Sequence, residues 1–212
     1  MAELQNTLNT HSIQQRRKVL AGLIGQGIQG SRTPAMHQAE GERLGLHYCY
    51  QLLDTDQMQP TPALADLVQA AQWCGFSGLN ITFPYKQQVI PFLDELGETA
   101  KAVGAVNTVV FKDGKRIGHN TDLSGFALSF QAQMGDTQHD QVLLIGAGGA
   151  GLAVAHALLM SGVKTLFITD VSAERAQELA QVLNAQYGAT AAQATTITPE
   201  LVPQIDGIVN AT

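Results

Sequence analysis

Residues 141–151 read Gln-Val-Leu-Leu-Ile-Gly-Ala-Gly-Gly-Ala-Gly, and an Ala/Leu-rich segment follows directly, up to Met160. The apolar run predicts a buried strand, the following segment predicts a helix, and glycines spaced as GxGxxG join the two. In this setting the first glycine permits a tight turn, the second lets a pyrophosphate approach the backbone, and the third lets helix and strand pack closely. The pattern predicts a Rossmann-type dinucleotide-binding domain whose cofactor-binding residues are Gly146, Ala147, Gly148, Gly149, Ala150 and Gly151.

An acidic residue follows at the position that this fingerprint requires. The predicted strand Lys164–Thr169 ends in Asp170, about twenty residues beyond Gly151. Its carboxylate is expected to accept hydrogen bonds from ribose hydroxyls, and its charge would repel a 2′-phosphate. We therefore predict NAD as the cofactor, with NADP as the alternative. A glycine-rich turn can also join a strand to a helix without binding a nucleotide, but strand, glycines, helix and acid are here all in register.

A second GxGxxG pattern occurs earlier in the chain. Its glycines are Gly25, Gly27 and Gly30. The pattern follows the predicted strand Val19–Ile24, and Asp54 comes at the end of the next predicted strand, His47–Leu53. Taken alone, these features would predict a second nucleotide site.

Pro34 distinguishes the two patterns. A fingerprint helix would already be running at this residue, and a proline inside it would remove a donor and clash with the preceding turn. Pro34 fits better as the first residue of a helix that starts after Thr33. We interpret residues Gly25–Thr33 as a substrate loop that presents Ser31 and Thr33, rather than as a second nucleotide site.

The order of elements predicts an α/β fold. From Val19 onward, β-rich runs alternate with segments of helical period, which indicates a mainly parallel sheet with helices packed on it. We predict a flexible leader at 1–18, an α/β substrate-binding and catalytic domain at 19–134, and a Rossmann-type domain at 135–212. We expect the Rossmann-type domain to be C-terminally incomplete, because about three strands are visible in it where a doubly wound fold has nearer six.

Turn residues and periodicity predict further elements. These are a helix starting at Thr61-Pro62, a strand Gly78–Thr82, a hairpin from Val106–Lys112 to Arg116–His119 through Asp113-Gly114, a helix Thr121–Met134, and an exposed loop Gly188–Thr196.

Composition excludes several classes of function. Twelve Lys and Arg against eighteen Asp and Glu give a net charge of −6, which argues against nucleic-acid binding. No apolar run approaches the roughly 20 residues that cross a bilayer, and the leader lacks the apolar segment of a signal peptide, so we expect a cytoplasmic protein. The histidines and cysteines lack ligand spacing, so no metal is expected. Cys49 and Cys74 are interpreted as reduced core thiols.

Oxidation of a secondary alcohol by a nicotinamide cofactor requires a group that takes the hydroxyl proton. Open α/β sheets build their sites at strand ends, where this chain has polar residues. They are Asn80, Thr82, Lys86, Asn107 and Asp122. A carboxylate such as Asp122 would orient the ammonium of Lys86 and share the substrate hydroxyl. Considered singly, Lys86 would be a surface lysine and Asp122 a residue of a helix N-terminus.

Four motifs together resemble the shikimate and quinate dehydrogenase family, in the order that the family has them. They are Ser-Arg-Thr-Pro at 31–34, Asn-Ile-Thr-Phe-Pro-Tyr-Lys at 80–86, Gly-Ala-Val-Asn-Thr at 104–108, and Gly-His-Asn-Thr-Asp at 118–122. The resemblance extends over about Leu20 to Thr212 and includes the fingerprint at 146–151.

The resemblance implies the roles of the site residues. Ser31 and Thr33 would hold the substrate carboxylate, and Lys86 and Asp122 would be the catalytic pair. The residues implied to bind the ring hydroxyls are Asn80, Thr82, Asn107 and Asp122, with Lys86 also in contact with substrate. The implied substrate is a small hydroxy-cyclohexane or hydroxy-cyclohexene carboxylate, and the implied assembly is a monomer or a homodimer.

Departures from the common pattern refine this prediction. Thr33 replaces a second serine, and Phe83 and Tyr85 replace the common isoleucine and histidine, which resembles the quinate-accepting branch. Asp170 stands where NADP-preferring relatives have Asn-Arg-Thr. The predicted function is NAD-dependent interconversion of quinate with 3-dehydroquinate and of shikimate with 3-dehydroshikimate. The alternatives are an NADP-dependent shikimate or aminoshikimate dehydrogenase and a non-catalytic nucleotide or metabolite sensor.

Overall fold

A computed structural model describes residues 17–212 of the chain, and these form two sheets with helices packed on them. Residues 1–16 of the predicted leader lie outside the described residues. None of the described helices has the length and hydropathy that crossing a membrane requires.

The first sheet has six strands in the order β2-β1-β3-β5-β6-β4. Its strands are β1 (Lys18–Gly25), β2 (His47–Asp54), β3 (Gly78–Ile81), β4 (Glu95–Leu96), β5 (Thr108–Lys112) and β6 (Lys115–His119). The helices between them are α1 (Thr33–Arg43), α2 (Leu64–Trp73), α3 (Tyr85–Gln88) and α4 (Glu98–Val103). β1 is parallel to β2 and β3, and β4 is parallel to β6, whereas β5 is antiparallel to both of its neighbours.

The second sheet has four parallel strands in the order β10-β7-β8-β9, and helix α5 (Thr121–Met134) leads into it. Its elements are β7 (Gln141–Ile145), α6 (Gly149–Met160), β8 (Thr165–Thr169), α7 (Ala173–Tyr187), β9 (Ala192–Ala194) and β10 (Gly207–Asn210). The α/β class with parallel-rich sheets is therefore confirmed.

The hairpin and the helix that follows it form where the sequence predicts them. Asp113 and Gly114 have φ values of 52° and 78°, and this left-handed pair makes the tight turn between β5 and β6. Asn120 ends the hairpin and caps α5, because its Oδ1 accepts a hydrogen bond from the N–H of Leu123 at 3.2 Å. The turn and the cap therefore fix the point at which α5 begins.

Helices from both halves of the chain share a small apolar cluster. Its buried members are Val103, Ala105, Leu123, Ala153 and Ala157. The alanines of α6 are fully buried and allow α5 to approach this helix closely. The cluster brings the start of α6 towards the first sheet.

Two local predictions are wrong. The helix predicted with Thr61 as its N-cap and Pro62 as its first residue begins at Leu64, because Ala63 is extended and the Thr61 hydroxyl donates to the carbonyl of Met58 at 3.3 Å. Residues 188–196 are not an exposed loop throughout, since residues 192–194 form β9 and add to the sheet with Ala192 opposite Leu166. Both peptide groups of Ala192 are hydrogen bonded by the side chain of Asn184 at the end of α7, which holds the new strand in place.

Both cysteines are free, as predicted, but neither lies in the core. β2 is an edge strand, and its alternation turns Tyr48 and Tyr50 inward and Cys49 outward. Cys74 follows the last residue of α2 beside Trp73, which is also exposed. An apolar stretch of sequence therefore did not identify the buried face.

His156 is a buried polar residue on α6. Its Nδ1 lies 2.9 Å from the hydroxyl of Tyr187, and its Nε2 has no hydrogen-bond partner among the described residues. Burial lowers the pKa of His156 below its ordinary value of 6.5. The fold therefore favours the neutral imidazole.

This arrangement predicts a pH-dependent stability. A lowered folded-state pKa means that the contribution of His156 is complete above about pH 6.5 and is lost as the pH falls below that value. In His156→Gln the free energy of unfolding should change less between about pH 7.5 and about pH 5.5, with a difference of up to about 1 kcal/mol per pH unit. Urea unfolding at both pH values measures this. His47→Gln, which changes an exposed histidine, is the control, and an unaltered slope in His156→Gln would contradict the prediction.

Candidate active site

Lys86 and Asp122 form an ion pair between α3 and the start of α5. Lys86 lies on α3, after the end of β3, and Asp122 lies in the first turn of α5. Lys86 Nζ donates to Asp122 Oδ2 at 2.6 Å, although the two residues are 36 positions apart. The lysine side chain is 18% exposed and the aspartate side chain 36% exposed. The pair is therefore held by the fold and remains accessible.

Asn107 holds the other oxygen of this carboxylate. Its Nδ2 donates to Asp122 Oδ1 at 2.7 Å and to Thr121 Oγ1 at 2.9 Å, and its Oδ1 accepts from the N–H of Thr121 at 2.9 Å. Each oxygen of Asp122 thus has a donor, and the carboxylate has one defined orientation. The structure brings these three predicted residues together.

Asn80 belongs to a neighbouring network on the same sheet. Its Oδ1 accepts from the hydroxyl of Tyr50 at 2.7 Å, and its Nδ2 donates to Thr108 Oγ1 at 3.2 Å. Burial raises the pKa of Tyr50, so its hydroxyl stays protonated and remains a donor. Sequence reasoning missed Tyr50. The alternation of Tyr48 and Tyr50 along one face of β2 was the available signal.

The predicted substrate loop places its two hydroxyl residues side by side. Ser31 Oγ donates to Thr33 Oγ1 at 3.0 Å, at the start of α1. The helix begins at Thr33 with Pro34 in its first turn, within one residue of the prediction. Thr82 lies against the other end of this loop, because a Cβ at Gly25 would come within 2.3 Å of Thr82 Cγ2.

The later glycine turn meets the requirements of its fingerprint. Gly146 has a φ of 104°, and a Cβ at Gly151 would lie 2.0 Å from the carbonyl oxygen of Gly146. A Cβ at Gly148 would meet nothing within 4 Å, so the space next to this residue is open. A Cβ at Gly149 would lie 3.5 Å from Cδ of Lys86. The start of α6, where helical N–H groups lack intrahelical acceptors, therefore lies next to the ion pair.

Asp170 at the end of β8 faces this turn. Its Oδ2 accepts from the N–H of Ala147 at 2.7 Å, and its Oδ1 accepts from the N–H of Ser172 and from Arg175, both at 2.9 Å. The backbone N–H groups of Ala147 and Ser172, and then the guanidinium of Arg175, lower the pKa of Asp170 below 3.8. The carboxylate is therefore ionised near neutral pH. Sequence reasoning missed Arg175, whose only signal was a basic residue in the first turn of α7.

Two family models match most of the chain. Residues 23–109 match the shikimate dehydrogenase substrate binding domain, and residues 129–212 match shikimate / quinate 5-dehydrogenase. The chain is 51% identical over 197 residues to the shikimate dehydrogenase (NADP(+)) of Streptomyces avermitilis, which covers 91% of this chain and 67% of the relative. This chain belongs to the shikimate/quinate dehydrogenase family.

Other members of the family differ in the cofactor that they are named for. The chain is 46% identical over 198 residues to the quinate/shikimate dehydrogenase (NAD(+)) of Corynebacterium glutamicum strain R, which covers 92% of this chain and 70% of the relative. The structure of quinate dehydrogenase from Corynebacterium glutamicum in complex with NAD matches with a TM-score of 0.86 and 45% identity, over 93% of this chain and 71% of that chain. The chain thus spans about two thirds of the length of these family members.

Two glycine substitutions should separate folding from cofactor binding in this family member. Gly151→Ala forces a Cβ against the Gly146 carbonyl and should lower the free energy of unfolding by more than about 2 kcal/mol. Gly148→Ala has room and an ordinary φ of −80°, so its stability should stay within about 0.5 kcal/mol of the wild type. Its methyl group would occupy the approach of a pyrophosphate, so dinucleotide affinity should fall about tenfold or more. Urea unfolding and calorimetric titration measure the two quantities. Full dinucleotide affinity in Gly148→Ala would contradict the assignment of this turn.

Proposed function

We propose that the protein is an NAD-dependent dehydrogenase that interconverts quinate with 3-dehydroquinate and shikimate with 3-dehydroshikimate. In this proposal the first sheet belongs to the substrate-binding and catalytic domain, and the second sheet to the dinucleotide-binding domain. The observation that carries the proposal is the Lys86–Asp122 pair, held at 2.6 Å with Gly149 of the glycine turn against the lysine side chain. This proximity supports the proposal that proton transfer occurs next to the bound cofactor.

The described residues fit a nicotinamide dinucleotide. The open space beside Gly148 would take a pyrophosphate, the first turn of α6 would offer N–H donors, and Asp170 would offer an ionised carboxylate. The cofactor, when bound, accepts or supplies the hydride. The chain supplies orientation and the proton.

Lys86 is the proposed proton donor and acceptor. In the direction of ketone reduction, the ammonium at Nζ gives a proton to the oxygen that becomes the hydroxyl group. Asp122 accepts a hydrogen bond from this ammonium, and Asn107 prevents the carboxylate from turning away. In the direction of oxidation the same Nζ takes the hydroxyl proton back.

Further polar residues of the first domain would recognise the substrate. Ser31 and Thr33 hold two adjacent hydroxyl groups, which suit a carboxylate. The remaining residues would bind ring hydroxyls and are Asn80, Thr82, Asn107 and Asp122. The extra methyl of Thr33, together with the relatives named quinate/shikimate dehydrogenase, supports acceptance of both acids.

NADP-dependent shikimate oxidation is the second candidate, and Arg175 favours it. Its guanidinium lies 2.9 Å from Asp170, where it could also attract a 2′-phosphate, and the relative from Streptomyces is named NADP(+). The ionised Asp170 opposes this second candidate, because it places a like charge beside the phosphate.

Replacement of Lys86 tests the chemistry. In the full-length protein, Lys86→Met should keep the packing on Gly149 but lower kcat by roughly 10²- to 10⁴-fold with quinate or shikimate, because the proton donor is lost. Dinucleotide affinity from fluorescence titration should stay within about threefold of the wild type. Lys101→Met removes an exposed lysine paired with Glu98 and is the matched control.

Retention of turnover in Lys86→Met would contradict the proposed role. A sensor gives a different result: the wild-type protein would bind the acids without turning them over with either NAD or NADP.

Replacement of Asp170 tests the cofactor. Asp170→Asn removes the like charge and frees Arg175, so the ratio of kcat/KM with NADP to kcat/KM with NAD should rise about 10- to 100-fold. Adding Arg175→Ala should cancel most of the gain with NADP. Initial rates with both cofactors measure these ratios. A wild-type protein that already prefers NADP would favour the second candidate.

A further inference from the structure

Asp54 is buried yet lies outside the cofactor site. Its side chain belongs to the first glycine pattern, which the proposed cofactor site does not use. The residue is only 2% exposed. Its Oδ1 accepts from the N–H groups of Gly27 and Asp56 at 2.9 and 3.2 Å. Its Oδ2 accepts from the N–H of Ile28 and from Nε2 of Gln29 at 3.0 and 2.9 Å. Three of these four donors come from the loop Gly25–Thr33. The loop is therefore anchored to the Asp54 carboxylate.

The bonds to Asp54 continue to the hydroxyl pair. Asp54 binds the N–H of Ile28, the carbonyl of Ile28 accepts from the N–H of Ser31 at 3.0 Å, and Ser31 Oγ donates to Thr33 Oγ1 at 3.0 Å. Gly27, with a φ of 65°, makes the turn that brings successive N–H groups to one carboxylate. A series of hydrogen bonds therefore connects Asp54 to both hydroxyls.

The other side of the loop is attached near Lys86. The N–H of Gln26 donates to the carbonyl of Phe83 at 3.0 Å. Thr55, next to Asp54, donates to the carbonyl of Gly25 at 3.3 Å and accepts from the hydroxyl of Tyr85 at 2.9 Å. Tyr85 immediately precedes Lys86, so the same contacts set the loop relative to the lysine.

We propose that Asp54 is a positioning residue for recognition of the substrate carboxylate, because it fixes the loop on which Ser31 and Thr33 converge. The inference rests on the proposed function and deepens it. All four partners of Asp54 are donors, so both of its oxygens must be acceptors. The side-chain amide of Gln29, followed by the backbone donors, lowers the pKa of Asp54 below 3.8 and keeps it ionised.

The charge and the geometry of Asp54 predict opposite effects on binding. A negative charge on the same loop as an anionic substrate weakens binding, so removal of the charge alone should lower KM. Loss of the acceptor geometry should raise KM, because an amide NH₂ group would face two donors. The direction of the change therefore decides which role dominates.

The test is Asp54→Asn in the full-length protein, with shikimate and quinate as substrates. KM for both acids should rise about tenfold or more, while kcat at saturation and dinucleotide affinity stay within about twofold. Asp56→Asn removes an exposed charge from the same turn, while Asp54 keeps both of its acceptor oxygens. This control should leave KM unchanged or slightly lower. An unchanged or lower KM in Asp54→Asn would overturn the proposal.

An analogue of shikimate with a hydroxymethyl group in place of the carboxylate excludes a purely structural role. The penalty in Asp54→Asn should disappear for this analogue, and an equal penalty on acid and alcohol would overturn the proposal. Absence of wild-type turnover would refute the proposed function by itself. In that case, calorimetric titration of shikimate into the wild type and into Asp54→Asn still tests the positioning role. Binding should be about tenfold weaker in the variant, and equal binding would count against the positioning role.

Discussion

The ion pair between Lys86 and Asp122 is the interaction on which the interpretation of this fold depends. The hairpin β5–β6 returns the chain so that α5 starts beside α3, and the N–H of Val106 donates to the carbonyl of Lys86 at 2.8 Å. In the proposed function, the 2.6 Å contact between this lysine and this aspartate serves proton transfer.

The glycine turn lies beside this pair because helices pack between the two sheets. Leu123 of α5 packs with Ala153 and Ala157 of α6, and these small side chains let the helices approach closely. The start of α6 thereby reaches the lysine side chain at Gly149. Apolar packing between α5 and α6 thus sets the distance between the glycine turn and the ion pair. Neither the glycine turn nor the ion pair belongs to this apolar cluster.

Asp54 and Asp170 occupy similar positions in the two sheets, but the space beside their glycine turns differs. Asp54 and Asp170 each end a strand, and each accepts a backbone N–H group from a glycine turn. Asp54 is surrounded by four donors and serves its own loop, whereas the turn beside Asp170 leads straight into α6 and has open space at Gly148. The same local chemistry therefore suits the anchoring of a loop in one sheet and the proposed nucleotide site in the other.

The sequence by itself determined the elements whose cause is local. Glycine spacing predicted the fingerprint, Asp113-Gly114 predicted the hairpin, and the bounds of α5 were predicted to the residue, because φ preferences and caps act over a few neighbours. Only the tertiary structure decided which surfaces are covered: Cys49 is exposed because it lies on the opposite face of β2 from Tyr48 and Tyr50, and residues 192–194 pair because β8 offers them a partner. The pairing of Lys86 with Asp122 was expected from the polar residues at strand ends and from the family resemblance, whereas the tertiary structure also decided the contacts of Tyr50 with Asn80 and of Arg175 with Asp170. These contacts depend on the order of strands and the approach of helices, which no local pattern of residues encodes.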